Sequence, residues 1–126
     1  MRFTQDFEIT KWDQSTYDEK DGVNLGRATV GKQFSGELDG TSSAELLMAV
    51  TPDGPAAYTA VERFEGKLSG REGSFVMLHG ATADQTASPG TILAGTGTGD
   101  LVGLTGTVTF EHDDKGPRLT IDYELP

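Results

Sequence analysis

Alternation of apolar and polar residues with a period of two runs through most of this chain, and it constrains the fold more than any other feature. In "FTQDFEI", Phe3, Phe7 and Ile9 share one side of an extended strand, and Thr4, Asp6 and Glu8 share the other. "RLTIDYEL" repeats the pattern with Leu119, Ile121, Tyr123 and Leu125 opposed to Arg118, Thr120, Asp122 and Glu124. "TVTFE" sets Val108 and Phe110 against Thr107 and Thr109, and "GRATVGKQF" supplies Ala28, Val30 and Phe34. "YTAVERFEGKL" puts Tyr58, Ala60, Glu62, Phe64 and Leu68 on one face and Arg63, Glu65 and Lys67 on the other. Such stretches recur at roughly 3–12, 23–35, 41–51, 57–67, 72–80, 91–98, 104–111 and 117–125, the spacing of an antiparallel meander. "TSSAELLMAV" holds good helix formers, and Ser42 with Glu45 fits a capping box. Its position between two turn signals assigns it to a strand all the same.

A second pattern sets the ends of the strands. Gly-x-Leu-x-Gly occurs as Gly36–Gly40, Gly66–Gly70 and Gly99–Gly103, between strands two and three, four and five, and six and seven. In an up-and-down sheet every second connection lies at the same end, so the three copies belong together. Glycine accepts the positive φ of tight turns, and the intervening leucines can fold inward to plug that end. The other connections, such as "DQSTYDEKDG" and "ATADQTASPG", are mostly longer and polar, and they form a loop-rich mouth. Eight strands can close and remove their exposed edges. The expected fold is all-β: a single-domain, eight-stranded antiparallel up-and-down β-barrel over residues 1–126. "ELLMAV" and "SFVML" are apolar on both faces, which implies a covered outer patch and favours a homodimer.

Composition narrows the partners. The 20 acidic against 10 basic side chains, a formal charge of −10, argue against nucleic acid and against anionic membrane surfaces. With no cysteine there is no disulfide, thiolate zinc site or cysteine nucleophile. "MRFTQDFEIT" lacks the apolar core of a signal peptide, so a soluble cytoplasmic protein is expected. "GTGTGDLVGLTG" lacks the Gly-Lys-Ser/Thr ending of a phosphate loop and the spacing of a dinucleotide fingerprint, so no nucleotide cofactor is expected. His112, Asp113 and Asp114 in "EHDDKG" read as a solvated turn rather than a metal site.

The series "W…Y…GVNLGRATV…", the Phe-x-Gly-x-Leu-x-Gly block, "YTAVERFEGKLSGREGSFVMLHGA" and "GTGTGDLVGLTG" resembles an uncharacterised bacterial family with the allene oxide cyclase-like barrel fold, most specifically from Tyr58 to His79. The resemblance spans nearly the whole chain, and it implies an eight-stranded barrel and often a homodimer. The wider superfamily includes cyclases that fold apolar substrates inside the barrel, but none of their catalytic residues aligns here. A shared fold does not carry an activity across.

The candidate site follows from topology. Trp12 ends strand one at the mouth, Tyr58 begins strand four there, and His79 ends strand five there. Glu62 lies deeper on the face of Tyr58 and Phe64. If buried, its pKa would rise and it would serve as a general acid or base, or as a structural carboxyl bonded to Arg27 or Tyr58. Tyr58, Glu62 and His79 are therefore the candidate catalytic groups. Trp12, Glu45, Phe64 and Phe75 are the candidate ligand contacts. Two functions remain: a barrel that binds a small apolar or amphipathic molecule, with cyclase or isomerase chemistry as a variant, or a non-catalytic dimeric module filled by Phe3, Phe7, Phe34, Phe64, Phe110 and Tyr123.

Overall fold

Each alternating segment forms a strand whose apolar side chains point into one lumen. The computed structural model describes residues 1–126, with β1 (Arg2–Lys20), β2 (Val23–Ser35), β3 (Leu38–Thr51), β4 (Gly54–Leu68), β5 (Arg71–Thr82), β6 (Ser88–Ile92), β7 (Thr105–Asp113) and β8 (Gly116–Glu124). Neighbours in sequence are neighbours in the sheet, all antiparallel, and β1 pairs with β8 to close the barrel. "TSSAELLMAV" lies within β3, with Ser42, Ala44 and Leu46 buried and Thr41, Ser43 and Glu45 exposed. Ladders to β2 on one side and β4 on the other satisfy its backbone, and they override its helical propensity.

Two strands depart from their sequence expectations. Strand β1 continues past Trp12 to Lys20, so "DQSTYDEK" pairs with β2 instead of forming a mouth loop, and only Asp21 and Gly22 make the turn. Strand β6 is displaced from 91–98: it starts earlier, at Ser88, and ends at Ile92, so the preceding loop is shorter than expected. Residues beyond Ile92 run beside β5 without regular pairing, through Leu93 N–H to Val76 O at 2.9 Å and Thr98 N–H to Ser74 O at 2.9 Å. A short 3₁₀ turn, Gly99–Leu101, follows. This path brings Thr98 so close to β5 that a Cβ on Gly73 would collide with its carbonyl oxygen.

The three Gly-x-Leu-x-Gly segments meet at one end, as the alternation of connections requires. Ser69 in the second copy donates to Glu37 of the first at 2.6 Å, and its hydroxyl lies 3.0 Å from that of Tyr123. The third copy joins them through Gly99, which packs against Glu72 at the start of β5. Leu38, Leu68 and Leu101 are fully or almost fully buried and plug this end. Ser69 and Gly70 both have positive φ, 50° and 84°, the signature of a tight hairpin whose twist matches its strands.

The core divides into two unequal halves. Towards the glycine end, Phe7, Phe34, Phe64, Phe75 and Phe110 pack with the plugging leucines into one cluster. Ring centroids there are 5.2–5.9 Å apart, in tilted and edge-on pairs. Gly40 makes room for this cluster: a Cβ there would come within 3.0 Å of the Phe64 ring. Towards the mouth the inward positions are small or aliphatic: Ala28, Val30, Ala44, Leu46 and Ala60. The expectation of a barrel filled solid by aromatics therefore holds for one half and fails for the other, because every fully buried phenylalanine lies towards the glycine end. Phe3 is only half-buried at the margin of the cluster.

The mouth is also open at the side. Strand β8 pairs with β1 only from Arg2 to Asp6, so from Phe7 onward β1 has only β2 beside it. A bulge between Ile9 and Lys11 shifts the alternation, so that Trp12 and Gln14 face the same way as Val30 and Ala28. On the outer wall, Leu47, Val61 and Leu78 form an exposed apolar row, at 51%, 52% and 37% exposure. Val61 pairs directly with Leu78, and Leu47 lies diagonally across from Val61. No helix is long and apolar enough to cross a membrane.

Candidate functional site

The hollow half contains a cavity of about 450 Å³ that opens at the mouth. Leu46, Met48 and Ala81 contribute to its walls, Trp12 stands at its rim, and Phe7 and Phe110 border it below. Tyr58, His79 and Lys32 bring polar atoms to its inner part, and the surface as a whole is largely apolar. Trp12 is 49% exposed, and its indole N–H donates to Gln14 at 2.9 Å, so its ring forms a polar-edged lip.

Beneath the cavity lies a buried polar network centred on Glu62, which is 0% exposed. Its Oε1 accepts from Lys32 Nζ at 2.9 Å and from His79 Nε2 at 2.8 Å, and its Oε2 accepts from Ser42 at 2.6 Å. His79 Nδ1 lies 2.9 Å from the Tyr58 hydroxyl. Register explains how β2 reaches β4 across β3: Lys32 is opposite Ser42, and Glu62 is opposite Ala44. These two β3 side chains are small enough for the lysine and the glutamate to meet diagonally over them. The His79 ring also stacks on Phe110 at 4.3 Å between centroids.

The electrostatics reverse the expectation for Glu62. Burial pushes its carboxyl up, but the His79 hydrogen bond, the Lys32 charge and the Ser42 hydrogen bond outweigh burial and hold it down at about 2. It is thus an ionised carboxylate with both oxygens satisfied, not a protonated acid. Its partners are not those expected from sequence either. Arg27 lies on the outer surface, where its Nε is 3.5 Å from Glu45. Burial raises the Tyr58 phenol above its usual range; Ser88 opposes this and the Glu62 charge adds to it.

An ionised Glu62 can only accept, so His79 Nε2 carries a proton. In the neutral ring Nδ1 is then the acceptor for the Tyr58 hydroxyl. Phenol, imidazole and carboxylate form a line from the cavity wall inward, with the carboxylate fixing the tautomer of the base. This arrangement can hold a polar group against Tyr58 and can pass a proton between Tyr58 and His79.

The remaining candidates separate clearly. Glu45 faces outward, where both its oxygens accept from Thr29 at 3.0 Å, so it cannot contact a ligand in the lumen. The two apolar faces of β3 had left its direction open, and the ladder settles it. Phe64 and Phe75 point inward but are fully buried beneath the network, within the aromatic cluster rather than on the cavity wall. Lys32 and Ser42 are the members of the buried network that sequence reasoning missed. The signal for Lys32 was present: positions 28, 30, 32 and 34 share one face, and three of them are apolar. His112 and Glu111 reach the rim, and Asp113 holds the β7–β8 turn by accepting from Arg118 at 2.8 and 3.0 Å.

The family model for a protein of unknown function (DUF3224) matches residues 3–125. The chain belongs to this family. A crystal structure of a DUF3224 protein of unknown function from Shewanella oneidensis MR-1 is similar at 31% identity, with a TM-score of 0.84, covering 100% of this chain and 98% of that one. None of the curated proteins matches the chain. The DUF3224 chain described here shares its fold with that relative across essentially its full length.

Proposed function

We propose that this DUF3224 protein binds a small apolar or amphipathic molecule in the hollow half of its barrel. The observation that carries the reading is the division of the core: aromatic rings fill one half, and small side chains leave an open, largely apolar cavity in the other. Pockets of this size with apolar walls and a few convergent polar groups suit small organic ligands. A module filled solid would have no use for Ala28, Ala44 and Ala60 on three adjacent inner walls.

The test is a titration of the protein with 2-octanone, followed through the emission of Trp12, the chain's one tryptophan, at the cavity rim. Saturable binding is expected. Ala81→Phe fills the cavity beside Tyr58, its cross-strand neighbour, and is expected to weaken binding at least about tenfold while leaving thermal stability near the parent's. No saturable response in the parent, or equal binding by the variant, contradicts the reading.

We also propose that the exposed row of Leu47, Val61 and Leu78 is covered by a second copy of the chain. A stable pair would bury at least about 1,000 Å² around it. Sedimentation at micromolar protein is expected to give a dimer mass for the parent and a monomer mass for Val61→Glu. A monomeric parent rules this pairing out.

A further inference from the structure

The Lys32 ammonium is the deepest polar group on the cavity surface, and its surroundings specify what it can receive. It is 7% exposed, and Glu62 takes one of its three N–H groups. The other close neighbours of Nζ are ring faces, Phe110 at 4.1 Å and Phe7 at 4.9 Å from the centroids. These stabilise the positive charge but do not replace a hydrogen-bond acceptor with a lone pair. Glu62 and Ser42, the acceptors of the network, lie behind the cavity surface rather than on it. A ligand reaching the floor therefore meets a donor-only cation with N–H groups to spare.

We propose that the molecule taken up by this cavity enters head-first and places a neutral carbonyl oxygen on the Lys32 ammonium, its apolar body lying along Leu46, Met48 and Ala81 towards Trp12. This rests on the binding function proposed above and adds the chemistry of the head group. The head accepts because Lys32 can only donate. It is neutral because Glu62, 2.9 Å away, already offsets the lysine charge. An incoming carboxylate would be a second buried anion with no cation of its own, beside Glu62 and within a chain of net charge −10. An amine head would face an ammonium across the floor.

The experiment compares four eight-carbon probes: 2-octanone, octanoate, octylamine and n-octane supplied through the vapour phase. With the parent protein, 2-octanone is expected to bind at least about tenfold more tightly than n-octane, the contribution of one charge-assisted hydrogen bond. Octanoate and octylamine are expected to bind no better than the alkane. In Lys32→Met/Glu62→Gln, which removes both charges together, ketone and alkane are expected to bind equally. Infrared spectra of carbonyl-labelled 2-octanone give an independent reading in the parent: its stretch should fall below the value in hexane. Equal ketone and alkane binding in the parent, tighter binding of octanoate, or an unshifted carbonyl band overturns the head-group assignment while leaving the binding function in place. Failure of all four probes to bind overturns the binding function itself.

Discussion

Lys32→Met will destabilise the barrel by about 3–5 kcal/mol, and adding Glu62→Gln will return most of that loss. The single change leaves an ionised Glu62 at 0% exposure without the lysine charge, with only His79 and Ser42 as donors. The cost comes from the stranded charge rather than from the lost contact. Met keeps nearly the same stem length, so packing against Phe7 and Phe110 changes little. In the double variant both charges of the pair are gone, and the amide oxygen that replaces the Glu62 carboxylate can still accept from His79. Denaturant unfolding of the parent, both single variants and the double variant closes the cycle, with an expected coupling of about 2 kcal/mol or more. Additive single effects would mean that Lys32 and Glu62 do not depend on each other, against their 2.9 Å contact.

Acid will remove a second large contribution. The Glu62 carboxyl is held at about 2 in the folded chain against an ordinary value of 4.5. A folded-state value below the unfolded one gives stability that is fully present above the unfolded value and is lost as pH falls towards the folded one. The window is therefore from about pH 4.5 down to about pH 2, and the loss is about 3 kcal/mol at its lower end. Other carboxylates titrate in the same range, so the measurement is the difference between parent and Glu62→Gln, followed by unfolding across pH 2–6. The gap between the two should narrow as pH falls. A gap that stays constant would show that Glu62 does not change protonation between folded and unfolded chains in this window.

The strands, their order and the inward direction of Tyr58, Glu62 and His79 were legible because a period of two fixes a side chain's face once one neighbour is known. The shared end of the glycine segments followed from counting connections. Neither the end of β1, which pairs with β2 through the polar "DQSTYDEK", nor the boundaries of β6 were legible: Thr91 and Ile92 look extendable into "LAGTGTG", yet the regular ladder stops at Ile92. The direction of Glu45 was ambiguous for a similar reason, since β3 is apolar on both faces and local pattern cannot choose between them. The partners of Glu62 lay furthest beyond reach. Lys32 sits on β2 and meets Glu62 across an intervening strand, a contact set by barrel register and by the small size of Ser42 and Ala44. The direction of the Glu62 shift depended on those partners, so burial alone gave the wrong sign.

The most direct measurement of the central claim, that the hollow half of the barrel takes up a small molecule, is an NMR map of where 2-octanone sits on the methyl-labelled protein. The inner wall carries Leu46, Met48 and Ala81, whereas the outer wall carries the exposed row Leu47, Val61 and Leu78. Intermolecular NOEs from the ligand chain to the methyls of Leu46, Met48 and Ala81, and none to Leu47, Val61 or Leu78, are predicted. NOEs confined to the outer row, or no NOEs at saturating ligand, would contradict it.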